Sequence, residues 1–111
     1  MNIEIVKEFL DFPLEFWEYI KNRIIYVDSK IEGNEIFYNT FMKFDNDNRL
    51  MDIKVMIPYI VDIESACVNI HELKHAYDLF FELGNIVNIN EDEYEKSAIK
   101  LEKKFYKKYN N

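Results

Sequence analysis

Apolar and polar residues recur with two different periods along this chain, and the change of period divides it into helices and strands. Near the start, Ile3 to Leu10 and the segment from Pro13 to about Ile24 carry apolar residues at helical spacing. The junction Asp11-Phe12-Pro13 separates them, with proline at an early helical position where its missing N–H costs nothing. The pattern predicts two short amphipathic helices, with one irregular helical arm as the alternative. It leaves Ile24 to Val27 ambiguous between a helix end and a strand.

The middle of the chain has the features of a β-hairpin. Residues 35 to 44 are rich in aromatic and β-branched side chains, and Leu50 to Ile57 largely alternates apolar with charged residues. The polar tetrad Asp45 to Asn48 between them predicts the hairpin loop. Because Pro58 cannot donate a ladder hydrogen bond, we expect the second strand to end there or to lie at an edge of the sheet.

Two longer helices are predicted in the second half. Asp62 can cap a helix that runs from Ile63 to about Glu82, and Gly84 is placed to end it in a left-handed conformation. Asn90, followed three residues later by Glu93, has the form of a capping box that opens a last helix. The predicted fold class is therefore α+β, with a helical N-terminal region, a small antiparallel sheet, a central helix and a C-terminal helix.

Composition and charge narrow the range of partners. A chain of 111 residues supports one compact core, so we expect residues 1–111 to form a single domain. The net charge of −7 disfavours nucleic acid as a partner, and the late lysines are interleaved with acidic residues, as on a solvated helix face. Cys67 is the only cysteine, and no leader or long apolar span is visible, so we expect a cytoplasmic protein without a membrane partner.

Both histidines of the chain lie in the run His71-Glu72-Leu73-Lys74-His75, which is the H-E-x-x-H pattern. On a helix His71 and His75 lie about 40° apart, and Glu72 lies about 60° further round on the same side. Two imidazoles at this spacing can hold zinc, and the glutamate can activate its water. The competing interpretation is a solvated polar face, because other charged residues share that side. The apolar stripe lies opposite and contains Ala66, Ile70, Leu73, Tyr77, Phe80 and Phe81.

A catalytic zinc site normally takes three protein ligands and keeps a fourth position for water, so a further residue must complete this one. Phe81 stands where the extended metzincin pattern has its third histidine, which excludes that class. In the acidic run that opens the last helix, Glu93 already fits the capping box and its neighbours suit a helix N-terminus. Glu95 has no such structural task and is the preferred third ligand, with Glu93 as the alternative. Cys67, one turn before the first histidine, is a further alternative.

These residues resemble the gluzincin metallopeptidases, whose two H-E-x-x-H histidines are joined by a glutamate from a following helix, usually in a Glu-x-x-Ala or Glu-x-x-Ser context. The run Glu95-Lys96-Ser97-Ala98 fits that context. The short chain and its order of elements look like the single-domain minigluzincins, and the resemblance covers roughly the second half of the chain well. It implies that His71, His75 and Glu95 bind Zn2+ and that Glu72 is the general base and acid.

Two features depart from the gluzincin pattern. Ile99 stands where many gluzincins have an aspartate that supports a zinc histidine, so another group must orient His71. No further histidine is present to stabilise an oxyanion. Tyrosines are candidate donors, although aromatic residues in such a helix are more often core. These tyrosines are Tyr94, Tyr106 and Tyr109.

The expected function is zinc-dependent hydrolysis of peptide bonds in a peptide or protein substrate. Water is activated by the zinc and by Glu72, and an extended substrate is expected to pair with the sheet edge around Val55 to Ile57. The alternative is a catalytically inactive or latent zinc-binding domain of the same fold that acts as an interaction or regulatory module. A small acidic regulator without metal is the third interpretation.

Overall fold

The computed structural model describes residues 2–28 and 38–110. Within these residues the elements follow in the order α1 (Ile3–Leu10), α2 (Leu14–Ile20), β1 (Ile24–Val27), β2 (Asn39–Phe44), β3 (Leu50–Pro58), α3 (Ile63–Phe80) and α4 (Glu91–Tyr109). The predicted α+β class is confirmed at this level. The sheet differs from the expectation in two respects that bear on the function.

The N-terminal region contains two helices, as the sequence predicts, and not one irregular arm. The Asn2 side chain accepts a hydrogen bond from the backbone N–H of Glu4 and caps α1, and Asp11 ends α1 in the left-handed conformation with a φ of 50°. Helix α2 starts after Pro13 and ends at Ile20, earlier than the predicted end near Ile24. The ambiguous residues after it form strand β1.

The three strands form a mixed sheet with the order β1-β3-β2. Strand β2 is antiparallel to β3, but β1 runs parallel to β3, so the prediction of a purely antiparallel sheet is wrong. Strand β3 ends at Pro58 as predicted, whereas its placement at an edge is wrong because it has a partner on both sides. Alternation of apolar and polar residues reports a half-buried strand and does not distinguish an edge from a centre. Residues 35–37 of the first predicted strand lie outside the described residues.

Helix α3 begins at a reciprocal capping box between Asp62 and Ser65. It ends at Phe80, two residues before the predicted end, and Gly84, with a φ of 85°, lies in the turn that follows. The backbone N–H of Gly84 donates to the carbonyl of Leu50, 2.7 Å away, which ties this turn to the start of β3. At the start of α4 the Asn90 side chain accepts from the backbone N–H of Glu93, as predicted.

One hydrophobic core joins the helices to the inner face of β3. That face consists of residues with no exposed surface, namely Leu50, Ile53, Val55 and Ile57. Helix α4 docks through Ala98 and Phe105, which are also fully buried, and the ring of Phe9 on α1 meets the Phe105 ring edge-on at 5.2 Å. No helix among the described residues is both long and apolar enough to cross a bilayer.

Candidate metal centre

The two histidines of the motif occupy one face of α3, one turn apart. Their Nε2 atoms lie 3.0 Å from each other, and the two rings are nearly perpendicular. His75 is buried with 5% of its surface exposed, and the side chain of His71 is 16% exposed. The opposite face of α3 is in the core, where Ile70 and Leu73 are fully buried. The helix therefore presents both Nε2 atoms to the side on which α4 packs.

Glu95 on α4 completes a three-residue cluster with the histidines. Its Oε1 atom lies 2.8 Å from His71 Nε2, and its Oε2 atom lies 3.0 Å from His75 Nε2. The three ligand atoms are all within 4.8 Å of one another, and no other group of three His, Cys, Asp or Glu side chains among the described residues meets this condition. Neither Glu93 nor Cys67 belongs to the cluster. Glu95 is the third ligand that the sequence favours, and the structure brings its carboxylate into contact with both histidines.

The donor set fits zinc. Two imidazole nitrogens and one carboxylate oxygen form a known set of three protein ligands for catalytic zinc. Zinc bonds of about 2.0–2.1 Å in a tetrahedral arrangement separate the ligand atoms by about 3.3 Å. The two Nε2 atoms are 3.0 Å apart, and the Glu95 carboxylate contacts each imidazole through a different oxygen, at 2.8 Å and 3.0 Å, so the three side chains are close enough to share one ion. Half of the Glu95 side chain is exposed, so the cluster is open to solvent on that side.

A second glutamate of α4 contacts the same histidine from behind. Oε1 of Glu102 lies 3.1 Å from Nδ1 of His71. Glu102 is two turns after Glu95 on one face of α4, so both carboxylates reach His71 at once. The aspartate position of the gluzincin pattern holds Ile99, which has no hydrogen-bonding side chain. Sequence reasoning missed Glu102, although its spacing of seven residues from Glu95 was a readable signal.

Glu72 lies beside the cluster and is held by the neighbouring strand. It is 9% exposed, and the hydroxyl of Thr40 on β2 lies 3.0 Å from its Oε1 and 2.9 Å from its backbone carbonyl oxygen. Burial raises the pKa of Glu72, and the Thr40 hydrogen bond opposes part of that rise. A carboxyl group with a raised pKa is better matched to proton transfer near neutral pH. Thr40 was not singled out from the sequence.

Tyr94 packs against the second histidine of the motif. Its ring stacks on the His75 ring, with the centroids 3.9 Å apart. Burial lowers the pKa of His75, which favours the neutral imidazole that binds metal. His75 Nδ1 is buried and has no hydrogen-bond partner among the described residues. Burial also raises the pKa of Tyr94 and keeps its phenol protonated.

The other residues considered from the sequence lie in different surroundings. Tyr109 packs against the rings of Phe9 and Phe105, and Tyr106 is exposed. The thiol of Cys67 is buried with Sγ 3.9 Å from the carbonyl oxygen of Glu102. Burial raises the pKa of Cys67 to about 11, and its Sγ is not among the ligand atoms of the cluster.

A cleft of about 550 Å³ adjoins the cluster at Glu95. Strand β2 borders it through Met42, and α4 contributes its first turn. Its lining combines apolar and acidic side chains, namely Met42, Leu79, Val87, Ile89, Glu91, Asp92, Tyr94 and Glu95. The cleft has the size of a site for a few residues of peptide.

Comparison with protein-family models, curated proteins and solved structures gives no match for this chain. The gluzincin resemblance therefore stays a prediction from the residues of the motif. Of the residues predicted for the site, the structure brings His71, His75 and Glu95 together, and Glu72 follows His71 on α3 without belonging to that cluster.

Proposed function

We propose that this chain is a zinc-dependent metallopeptidase in which His71, His75 and Glu95 hold the metal and Glu72 transfers protons. The observation that carries the proposal is the meeting of three ligand atoms from two helices, with a buried carboxylate in the next position of α3. A solvated polar face, the competing interpretation of the motif, does not account for the burial of His75 and Glu72.

Zinc bound at this cluster supplies a Lewis acid that lowers the pKa of water and polarises a carbonyl. Glu72 then acts as the general base that takes a proton from the attacking water, and as the acid that returns it to the leaving amine. Thr40 holds the Glu72 carboxylate in place from β2. Burial of Glu72 limits competition from bulk water for the same carboxylate.

The path proposed for an extended substrate changes from the sequence expectation. Pairing with Val55 to Ile57 is wrong, because β3 is the central strand and both residues named are fully buried. Among the described strands β2 is an edge of the sheet; its Thr40 contacts Glu72 and its Met42 lines the cleft. We place the peptide backbone along β2 by strand addition, with one side chain in the cleft.

The second candidate is a zinc-binding domain of this fold without hydrolytic activity. One observation favours it: both histidines of the chain belong to the cluster, so no histidine is left to donate a hydrogen bond to an oxyanion. In that case the cleft and the β2 edge bind a peptide and release it unchanged.

The first experiment tests the metal. Zinc content is measured by elemental analysis at neutral pH, after removal of loosely bound metal, for the parent and for Glu95→Ala. We expect one equivalent in the parent and a clear loss in the variant. Glu93→Gln is the matched control, because Glu93 lies on the same helix outside the cluster and should keep its zinc. A well-folded parent without zinc at saturating metal would refute the proposal.

The second experiment separates the two candidates. Glu72→Gln keeps the size of the side chain and removes its ability to accept the proton, so it should retain zinc and abolish hydrolysis of a peptide library. Mass spectrometry of the library after incubation reads out cleavage. Parent protein that binds zinc but leaves the library intact supports the binding domain, and cleavage that survives Glu72→Gln contradicts the role given to this residue.

A further inference from the structure

We propose that Glu102 is a positioning residue of the metal centre, which accepts a hydrogen bond from Nδ1–H of His71 and so directs the His71 Nε2 lone pair at the metal. The inference rests on the proposed function, because it assigns a task at the same site. Nothing in the motif or in the acidic run before Glu95 points to this residue.

The geometry assigns one task to each nitrogen of His71. Nε2 faces the other two ligands, at 3.0 Å from His75 and 2.8 Å from Glu95, and Nδ1 faces Glu102 at 3.1 Å. A neutral imidazole carries its proton on one nitrogen only. Both nitrogens face a carboxylate, so metal binding decides which one keeps the proton. An ion held by Nε2 with His75 and Glu95 would take the Nε2 lone pair, and the proton would then lie on Nδ1, where Glu102 accepts it.

The surroundings of Nδ1 differ between His75 and His71. Nδ1 of His75 is buried and lacks a hydrogen-bond partner among the described residues, so packing against Tyr94 orients that ring. The His71 ring is instead oriented by a charged acceptor from another helix. Glu102 is therefore placed to accept from Nδ1–H in the tautomer that a metal at Nε2 requires, and it lies on the helix that also supplies Glu95.

The position of Glu102 follows from the register of α4. Residues 95, 98 and 102 lie on one stripe of that helix, and Ala98 between the two acids is fully buried. Ala98 lets α4 approach α3, so both carboxylates reach one imidazole. Ile99 lies about 100° further round the helix than Ala98 and has no acceptor.

Two variants separate charge from contact. Glu102→Gln keeps an oxygen that accepts from Nδ1–H but removes the charge, and Glu102→Ala removes both. Loss of such a partner typically weakens metal affinity 10- to 100-fold, so we expect about 10-fold for Glu102→Gln and up to about 100-fold for Glu102→Ala. Zinc affinity is measured by competition with a chromogenic chelator, and Glu93→Gln controls for the loss of one negative charge from α4.

A spectroscopic readout distinguishes positioning from a structural role. In zinc-loaded parent protein labelled with 15N-histidine, the Nδ1–H of His71 should give a resonance protected from solvent exchange, and Glu102→Ala should lose that protection. Thermal unfolding of the metal-free variants shows whether they fold. If Glu102→Ala does not fold, the isosteric Glu102→Gln carries the test alone.

The outcomes distinguish this inference from the proposed function. If the parent binds no zinc, the proposed function fails and the inference fails with it. If the parent binds zinc and Glu95→Ala does not, while the Glu102 variants match Glu93→Gln in affinity, the proposed function stands and the role of Glu102 is overturned. Folded Glu102 variants that bind zinc more weakly, and in which the His71 Nδ1–H loses its protection from solvent exchange, would support the positioning role of Glu102.

Discussion

Replacing Thr40 with valine tests whether strand β2 holds the general base in place. Valine keeps the β-branched shape of threonine and replaces the hydroxyl with a methyl group. That hydroxyl has one proton and lies near two oxygens of Glu72, its Oε1 and its backbone carbonyl oxygen. A carboxylate is the stronger acceptor, so the cost of losing the hydroxyl should depend on the charge of Glu72.

The burial of Thr40 and Glu72 determines how much stability the Thr40→Val variant loses. Thr40 is 8% exposed and Glu72 is 9% exposed, so water cannot replace the lost donor freely. A hydrogen bond to a charged group contributes about 1.5–3 kcal/mol, and one between neutral groups about 0.5–1.5 kcal/mol. Thr40→Val should therefore lower the free energy of unfolding by about 2 kcal/mol in the parent. In a Glu72→Gln background the same change should cost about 1 kcal/mol.

The assay is a double-mutant cycle on metal-free protein, with urea and thermal unfolding at neutral pH. For 111 residues a change of 1 kcal/mol shifts the midpoint temperature by about 4 °C, so Thr40→Val alone should lower it by about 8 °C. Thr40→Ser keeps the hydroxyl, loses one methyl group and should cost about 1 kcal/mol. Equal costs of Thr40→Val in the two backgrounds, within about 0.5 kcal/mol, would refute the claim that Thr40 donates to the Glu72 carboxylate.

Three further predictions concern stability, helix packing and thiol reactivity. The Arg23 side chain donates to Asp52 at 2.7 Å and holds the pKa of Asp52 below its usual range. Asp52→Asn should therefore lower the free energy of unfolding, measured in urea, by about 1 kcal/mol at neutral pH. This difference between parent and variant should shrink as the pH falls below about 4, because the parent carboxylate then becomes protonated. A difference that does not change with pH would contradict the pairing of Arg23 with Asp52. Ala98→Leu should overpack the contact of α4 with α3 and lower the free energy of unfolding by about 1–3 kcal/mol. It should also weaken zinc affinity measured by chelator competition. Lys100→Leu, on the exposed side of α4, is the control and should leave that affinity unchanged. Cys67, buried and with a pKa raised to about 11, should resist alkylation by iodoacetamide at pH 8 until denaturant is added, as mass spectrometry would show; rapid modification of the native protein would contradict its burial.

The parts of the site that the sequence predicted are those fixed by local geometry. The spacing of His71 and His75 follows from the period of one helix, and any helical structure of that segment places them together. Glu95 was reached by elimination, because neighbouring acids already had capping tasks. The end of β3 at Pro58 was likewise local, since proline lacks the backbone donor.

The parts that the sequence did not predict depend on how elements pack against each other. Glu102 and Thr40 contact the motif from α4 and β2, at separations of about thirty residues along the chain, and no short pattern records those contacts. Pro58 suggested an edge position for strand β3, and the alternation of its residues could not correct this, because alternation is the same at an edge and at a centre. Strand β1 is short and parallel to β3, and only its tertiary partner identifies it.

The docking of α4 has a consequence for how the site opens. The stripe that carries Glu95 also carries Phe105, a fully buried ring that meets Phe9 edge-on. Helix α4 cannot swing away from the histidines as a rigid body without exposing that ring, at a cost of about 2–3 kcal/mol. Separation of Glu95 from the histidines by helix movement is thus a sub-global unfolding event, and its open population is at most about one molecule in a hundred, because Leu101 and Tyr109 leave the core with Phe105. If a bound ion escapes when α4 moves away from the histidines, amide hydrogen exchange along α4 would measure how often that movement occurs.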